Sequence, residues 1–213
     1  MYIPPHFEQP SVTVMHELMR AHPLATLVAT SGDHIDANHI PLLLSEQAGT
    51  LGCLSGHIAR ANPIWRDCRE GAEVLAIFHG PNAYISPGWY PSKAETGKVV
   101  PTWNYVAVHA YGSLRFVEDA GYIRACLETL TDLHETGLPE PWRVSDAPAD
   151  FIAKLIESVV GIEITIKRLS GKWKISQNQP QPYQQGVIQG LKSCKNMHSQ
   201  EMADFMQQAI NDA

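Results

Sequence analysis

Hydrophobic positions in this chain recur with two periods, and the alternation of the two lays out the elements in order. Met15, Leu18, Met19 and His22 fall at i, i+3, i+4 and i+7 behind a cap at Ser11, and Pro23 forbids continuation, so a short helix opens the chain. Leu24 to Thr30 is small and β-branched, Ser31-Gly32-Asp33 is a turn, and His34 to Leu44 resumes extended character. A second turn near Ala48-Gly49 leads to Thr50 to Ser55, which predicts three strands in meander order with sequential antiparallel pairing. Asn62-Pro63 then reads as an N-cap with proline at the first helical position, in a helix of about two turns stopped by Gly71.

Further on, Glu73 to Phe78 and Ala83 to Ser86 read as two strands split by Gly80-Pro81. Val99 to Val117 contains a long extended run whose Gly112 marks a bulge or barrel corner. Ile123, Cys126, Leu127, Leu130 and Leu133 give a helix over Asp119 to His134, and Phe151, Leu155, Ile156 and Val159 give another after Pro148. Ile162, Ile164 and Ile166 alternate with polar residues, and Ser170-Gly171 predicts a hairpin into Lys172 to Ser176. After the proline-rich Gln179 to Tyr183, Met202, Phe205, Met206 and Ala209 form a last helical stripe behind Ser199. Short strands with helices between them define an α+β protein on an antiparallel barrel. The expectation is one domain over residues 1–213 with a C-terminal helical extension.

Composition narrows the function. The formal net charge is −6, from 22 acidic and 16 basic residues, which argues against a broad nucleic-acid footprint. The first residues lack a basic or apolar leader, and no run approaches a membrane span, so a cytoplasmic location is expected. Cys53, Cys68, Cys126 and Cys194 lack CxxC spacing and read as reduced thiols, and the histidines show no metal-ligand spacing.

Two segments carry candidate chemistry. From Phe78 to Tyr105, the rings of Tyr84, Trp89, Tyr90, Trp103 and Tyr105 mix with Pro81, Pro87, Pro91, Lys93 and Asn104. Aromatic faces stack a planar ligand, amides read its edge and prolines hold the loop, a description a flavin fits; packing over a sheet end is the alternative. From Ser55 to Pro63, a strand end meets a helix start at His57, Ala59 and Arg60, where first-turn N–H groups and a guanidinium suit a phosphate; an ordinary surface ion pair is the alternative. Asn38-His39 adds a polar pair within a strand.

Six segments, MYIPPHF at the start, ANHIPLLL, GHIARANP, GPNAYISPGWYPSK, VPTWNYVAVHAYG and GKWKISQNQP, resemble the PaiB-type FMN-binding negative transcriptional regulators nearly end to end. The resemblance implies a split barrel like that of the pyridoxamine-phosphate-oxidase-type flavoproteins. It also implies a homodimer with FMN near the subunit boundary and the phosphate at His57, Ala59 and Arg60; the ring is then expected to be approached by Trp103, Asn104 and Tyr105, with Lys93, Trp89 and Asn38 completing the pocket. The alternatives within this fold are a flavin oxidoreductase and a haem-binding or haem-degrading protein. Direct DNA binding would need Lys167, Arg168, Lys172 and Lys174 presented on the Ser170-Gly171 hairpin, and no helix-turn-helix is visible.

Overall fold

The computed structural model describes residues 1–211, less the side chains of Ser31, Ala94 and Glu95. Its strands are β1 (Glu8–Gln9), β2 (Leu24–Ser31), β3 (His34–Pro41), β4 (Leu43–Ser45), β5 (Cys53–Ala59), β6 (Glu73–Ile85), β7 (Thr102–Val117) and β8 (Val159–Lys174). The helices are α1 (Val12–Ala21), α2 (Ile64–Asp67), α3 (Ser92–Thr96), α4 (Ala120–Glu135), α5 (Ala149–Glu157), α6 (Gln181–Ser193) and α7 (Met197–Asn211). The strands form one sheet in the order β3-β2-β6-β7-β8-β5-β4, with β1 added to β8. This is the antiparallel split-barrel architecture expected from the sequence.

Two long strands replace what the sequence reads as shorter pieces. β6 runs straight through Gly80-Pro81, since a proline in a strand only requires that the ladder need no N–H there. β8 likewise contains Ser170-Gly171, so the expected hairpin does not exist. A two-residue hairpin turn needs a positive φ, which Gly171 lacks, and β1 instead pairs with this stretch at Glu8↔Lys172 and Gln9↔Gly171. The first pairings follow the expected sequential order, β2 with β3 and β4 with β5, and β5 also pairs with β8, from Cys53↔Thr165 to Ala59↔Val159.

The chain packs as two compact units. Unit 2 comprises Val12–Phe78 and His109–Leu169. Its core includes Leu27, Leu54, Ile58, Ile162 and Ile164, all buried. Two glycines are demanded by close approach: a Cβ at Gly112 would lie 2.4 Å from the carbonyl oxygen of Thr165, and one at Gly56 would lie 2.8 Å from that of Pro41. Gly112 is thus a crossing point and Gly56 a packing residue. Asp119 caps α4 by accepting from the Tyr122 N–H at 2.7 Å. Ile123, Val144, Ile152 and Ile156 close a satellite core, which leaves Phe151 and Leu155 exposed.

Unit 1 comprises Met1–Ser11, His79–Val108 and the chain from Ser170 onward. Its helix α6 is absent from the sequence reading because Pro180 and Pro182 look like loop; a first turn has no N–H to lose, so prolines fit there. α7 starts earlier than its stripe indicates, with Asn196 Oδ1 accepting from the Ser199 N–H at 2.8 Å. Met202 and Met206 are buried within this unit, and Phe205 meets Trp173 at 6.4 Å. Cys53, Cys68, Cys126 and Cys194 are all free thiols, as expected.

Candidate functional site

In unit 2 the turn after β5 is organised by Arg60. Its Nε donates to the Glu157 carbonyl at 2.8 Å, Nη2 to the Val159 carbonyl at 3.2 Å, and Nη1 to Glu118 Oε2 at 2.7 Å. The guanidinium therefore ties the junction of α5 and β8, yet keeps two of its five N–H groups. Trp65 Nε1 donates to the Arg60 carbonyl at 2.8 Å and lies under the guanidinium at 5.6 Å. Asn62 Oδ1 caps the Ile64 N–H at 3.1 Å, while Asn62 Nδ2 donates to Asn38 Oδ1 at 2.6 Å. Asn38 is thus tied to the turn that follows Arg60, and Asn62 is the residue whose wider role the sequence concealed behind its capping role.

Strand alternation places His57 and Ala59 on the face of β5 opposite the buried Gly56 and Ile58, with Ala59 exposed. The Nδ1 of His57 is buried and has no hydrogen-bond partner, and burial holds its imidazole below the ordinary value of 6.5. The expected helix-end contribution falls away, because α2 has only four residues and its first N–H groups are met by Asn62 and the turn. Ser55, on the same face as His57, is hydrogen-bonded with Cys126.

In unit 1 the aromatic segment divides by the two-residue period of β7. Trp103 and Tyr105 point to one face, Thr102 and Asn104 to the other. Trp103, 54% exposed, meets Tyr84 edge-on at 6.1 Å, and both line a cleft of about 380 Å³ with Trp89. The Trp89 ring packs against α6, where a Cβ at Gly190 would come within 2.2 Å of it. Tyr105 sits under the Lys172 ammonium at 5.2 Å, and Lys93 is exposed on α3. Only Asn104, among the five expected ring residues, reaches the second cavity.

That second cavity, about 360 Å³, is lined by Phe7, Tyr90, Thr102, Asn104, Lys174 and Ser176, among others. These residues come from four of the six segments that carry the family resemblance. Asn104 is 1% exposed, and its Nδ2 donates to Ser176 Oγ at 2.9 Å and to Met206 Sδ at 3.5 Å. Ser176 holds a left-handed φ of 65°. Such a conformation in a buried non-glycine residue persists only where its surroundings fix it, and these positions concentrate at functional sites. Lys174 donates to Thr102 Oγ1 at 2.5 Å and to the Trp103 carbonyl, and burial, then Lys172, pulls its ammonium below the usual lysine range. Tyr90 and Tyr183 form a further wall at 5.4 Å, and burial raises the Tyr90 phenol. The sequence points to Asn104 here and misses Lys174, Ser176 and Tyr183.

The family model described as "Putative FMN-binding domain" matches residues 1–168. The chain belongs to the PaiB-type FMN-binding family. FMN is its cofactor. An uncharacterized protein of Emericella nidulans is 34% identical, covering 91% of each chain. Among PaiB-type relatives, "Protease synthase and sporulation protein PAI 2" of Bacillus subtilis is 28% identical over 99% of this chain and 98% of its own length. The FAD and haem binding protein of Mycobacterium smegmatis shares the fold, with a TM-score of 0.58 at 17% identity, covering 78% of this chain and 73% of its own. No helix among the described residues is long and apolar enough to cross a membrane.

Proposed function

We propose that this PaiB-type protein is an FMN-loaded homodimer that lowers transcription through a partner protein. The near full-length likeness to PAI 2, joined to the FMN-binding domain, carries the reading. The fate of the basic residues supports the indirect route. Lys172 is buried, donates to the Tyr2 carbonyl at 3.1 Å and lies against Tyr105; Lys174 is held by Thr102 and Trp103. Arg168 lies on the Tyr111 ring at 3.5 Å. Three of the four cations that a DNA-reading hairpin would have presented have contacts within the fold, while Lys167 is exposed, on a protein of net charge −6.

The donor set of unit 2 fits a phosphate group: Arg60 retains two N–H groups in a fixed fork, and His57 brings a buried, unpartnered ring nitrogen beside exposed Ala59. Asn38 and Asn62 would hold that turn in place. In unit 1, Trp89 and Trp103, which line one cleft, are proposed to meet a flavin ring with Tyr105 and Lys93, while Asn104 faces the other cavity. FMN, when bound, supplies a redox-active ring system whose state or occupancy is the signal. Exposed Tyr84 and Trp103 support self-association.

Titration of the FMN-loaded protein with random duplex at about 150 mM salt tests the indirect route. Weak binding is expected. Tight, sequence-independent binding with a steep salt dependence would overturn it, and steady turnover of NADH or NADPH would instead mark a flavin oxidoreductase.

A further inference from the structure

We propose that the unit 1 cavity around Lys174 is a second ligand site, for a small organic anion in which one acidic group is carried on a flat apolar ring. Lys174, Ser176, Gln179 and Tyr183 on the cavity wall lie beyond residue 168, where the match to the family model stops within β8. Trp89 and Trp103, proposed for the flavin ring, line a different cleft, so this cavity is open to a ligand other than the flavin.

Charge selects the sign. Lys98 and Lys174 line the cavity, and no carboxylate does so among the described residues, although the chain as a whole is acidic. Lys174 has two of its three N–H groups fixed, on Thr102 Oγ1 and the Trp103 carbonyl, which aims the ammonium and leaves the third for an incoming acceptor. Like-charge Lys172 and partial burial make an unaccompanied ammonium there costly, so an anion is favoured on arrival.

Shape selects the body. Tyr90 and Tyr183 present tilted rings 5.4 Å apart, and Val99, Val100 and Phe7 complete an apolar wall. Asn104 and Ser176 are immobilised by one another, so their polar atoms are set before a ligand arrives. About 360 Å³ lies at the small end of ligand cavities and suits a single substituted ring.

The test uses protein saturated with FMN and calorimetric titration with three probes: benzoate, phenyl phosphate and neutral benzamide. Saturable binding of benzoate or phenyl phosphate is expected, with benzamide about tenfold weaker or worse, and the two anions rank carboxylate against phosphate ester. Lys174→Met should weaken the better anion about tenfold, Lys174→Arg should restore most of it, and flavin absorbance should stay unchanged in both. Lys98→Met, on an exposed loop, provides the same reading if Lys174→Met does not fold, with a several-fold loss expected. Absence of saturable binding by both anions, equal affinity for benzamide, or unchanged affinity in the foldable lysine variants would overturn the proposal. In a parallel titration of flavin-free protein, stoichiometric release of the bound anion by added FMN would also overturn it, by making the cavity the flavin site itself, and would leave the proposed function standing.

Discussion

Asn104 Nδ2 donates to Ser176 Oγ at 2.9 Å, and the same hydroxyl is 3.2 Å from Asn104 Oδ1, so two residues 72 positions apart hold each other while Ser176 sits at a φ of 65°. Ser176→Ala keeps the left-handed strain and loses the hydroxyl, whereas Ser176→Gly loses the hydroxyl and removes the strain. The glycine variant should therefore be the more stable by about 1 kcal/mol in urea denaturation. Equal stability, or a more stable alanine variant, would mean that the conformation carries no strain.

Arg60 has a structural role and a proposed ligand role, and the two separate experimentally. Arg60→Ala removes three hydrogen bonds from a charged donor and leaves two carbonyls and Glu118 without it, so flavin-free protein should lose about 2 kcal/mol. Affinity for FMN should fall further than affinity for riboflavin, which lacks the phosphate. Parallel losses for both flavins would confine Arg60 to holding the α5–β8 junction.

His57 predicts the direction of acid sensitivity. Burial lowers its folded proton affinity beneath the ordinary 6.5, so below that pH the unfolded chain takes up a proton that the folded chain refuses. Stability should be indifferent to this residue above about pH 7 and should decline as pH falls through 6.5 toward the folded value. His57→Gln should flatten that part of a urea-midpoint series. A midpoint that rises on acidification only when His57 is present would reverse the assigned shift.

Trp89 and Gly190 form a matched pair. Gly190→Ala places a methyl 2.2 Å from the indole ring, which should cost about 1–3 kcal/mol as overpacking, and combining it with Trp89→Leu should cost less than the two single changes added together. Strict additivity in thermal denaturation would show that the helix shifts to absorb the methyl.

The helical periods of α1 and α4 were legible because burial repeats every three to four residues and flanking caps agree with it. The long strands were not. Gly80-Pro81 and Ser170-Gly171 have turn chemistry, but a dipeptide alone does not reveal that the partner strand continues past it, and β1 pairs with the second of these stretches from the far end of the sequence. Pro180 and Pro182 obscured α6 for a related reason, since the same residues that end helices also begin them. At the candidate sites, Asn104 and Arg60 stood out by residue type within a marked segment. Lys174 read as part of a solvated basic face, because nothing local to Lys172-Trp173-Lys174 records that Thr102, Trp103 and Tyr105 lie across from it.

Transcript profiling of the source organism, lacking this protein and then complemented at equal protein levels with wild type or Arg60→Ala, tests FMN-dependent repression most directly. The account predicts a set of transcripts that rises on loss, falls again with wild type and stays raised with Arg60→Ala. Unchanged transcripts on loss, or full restoration by Arg60→Ala protein shown to contain no FMN, would contradict it.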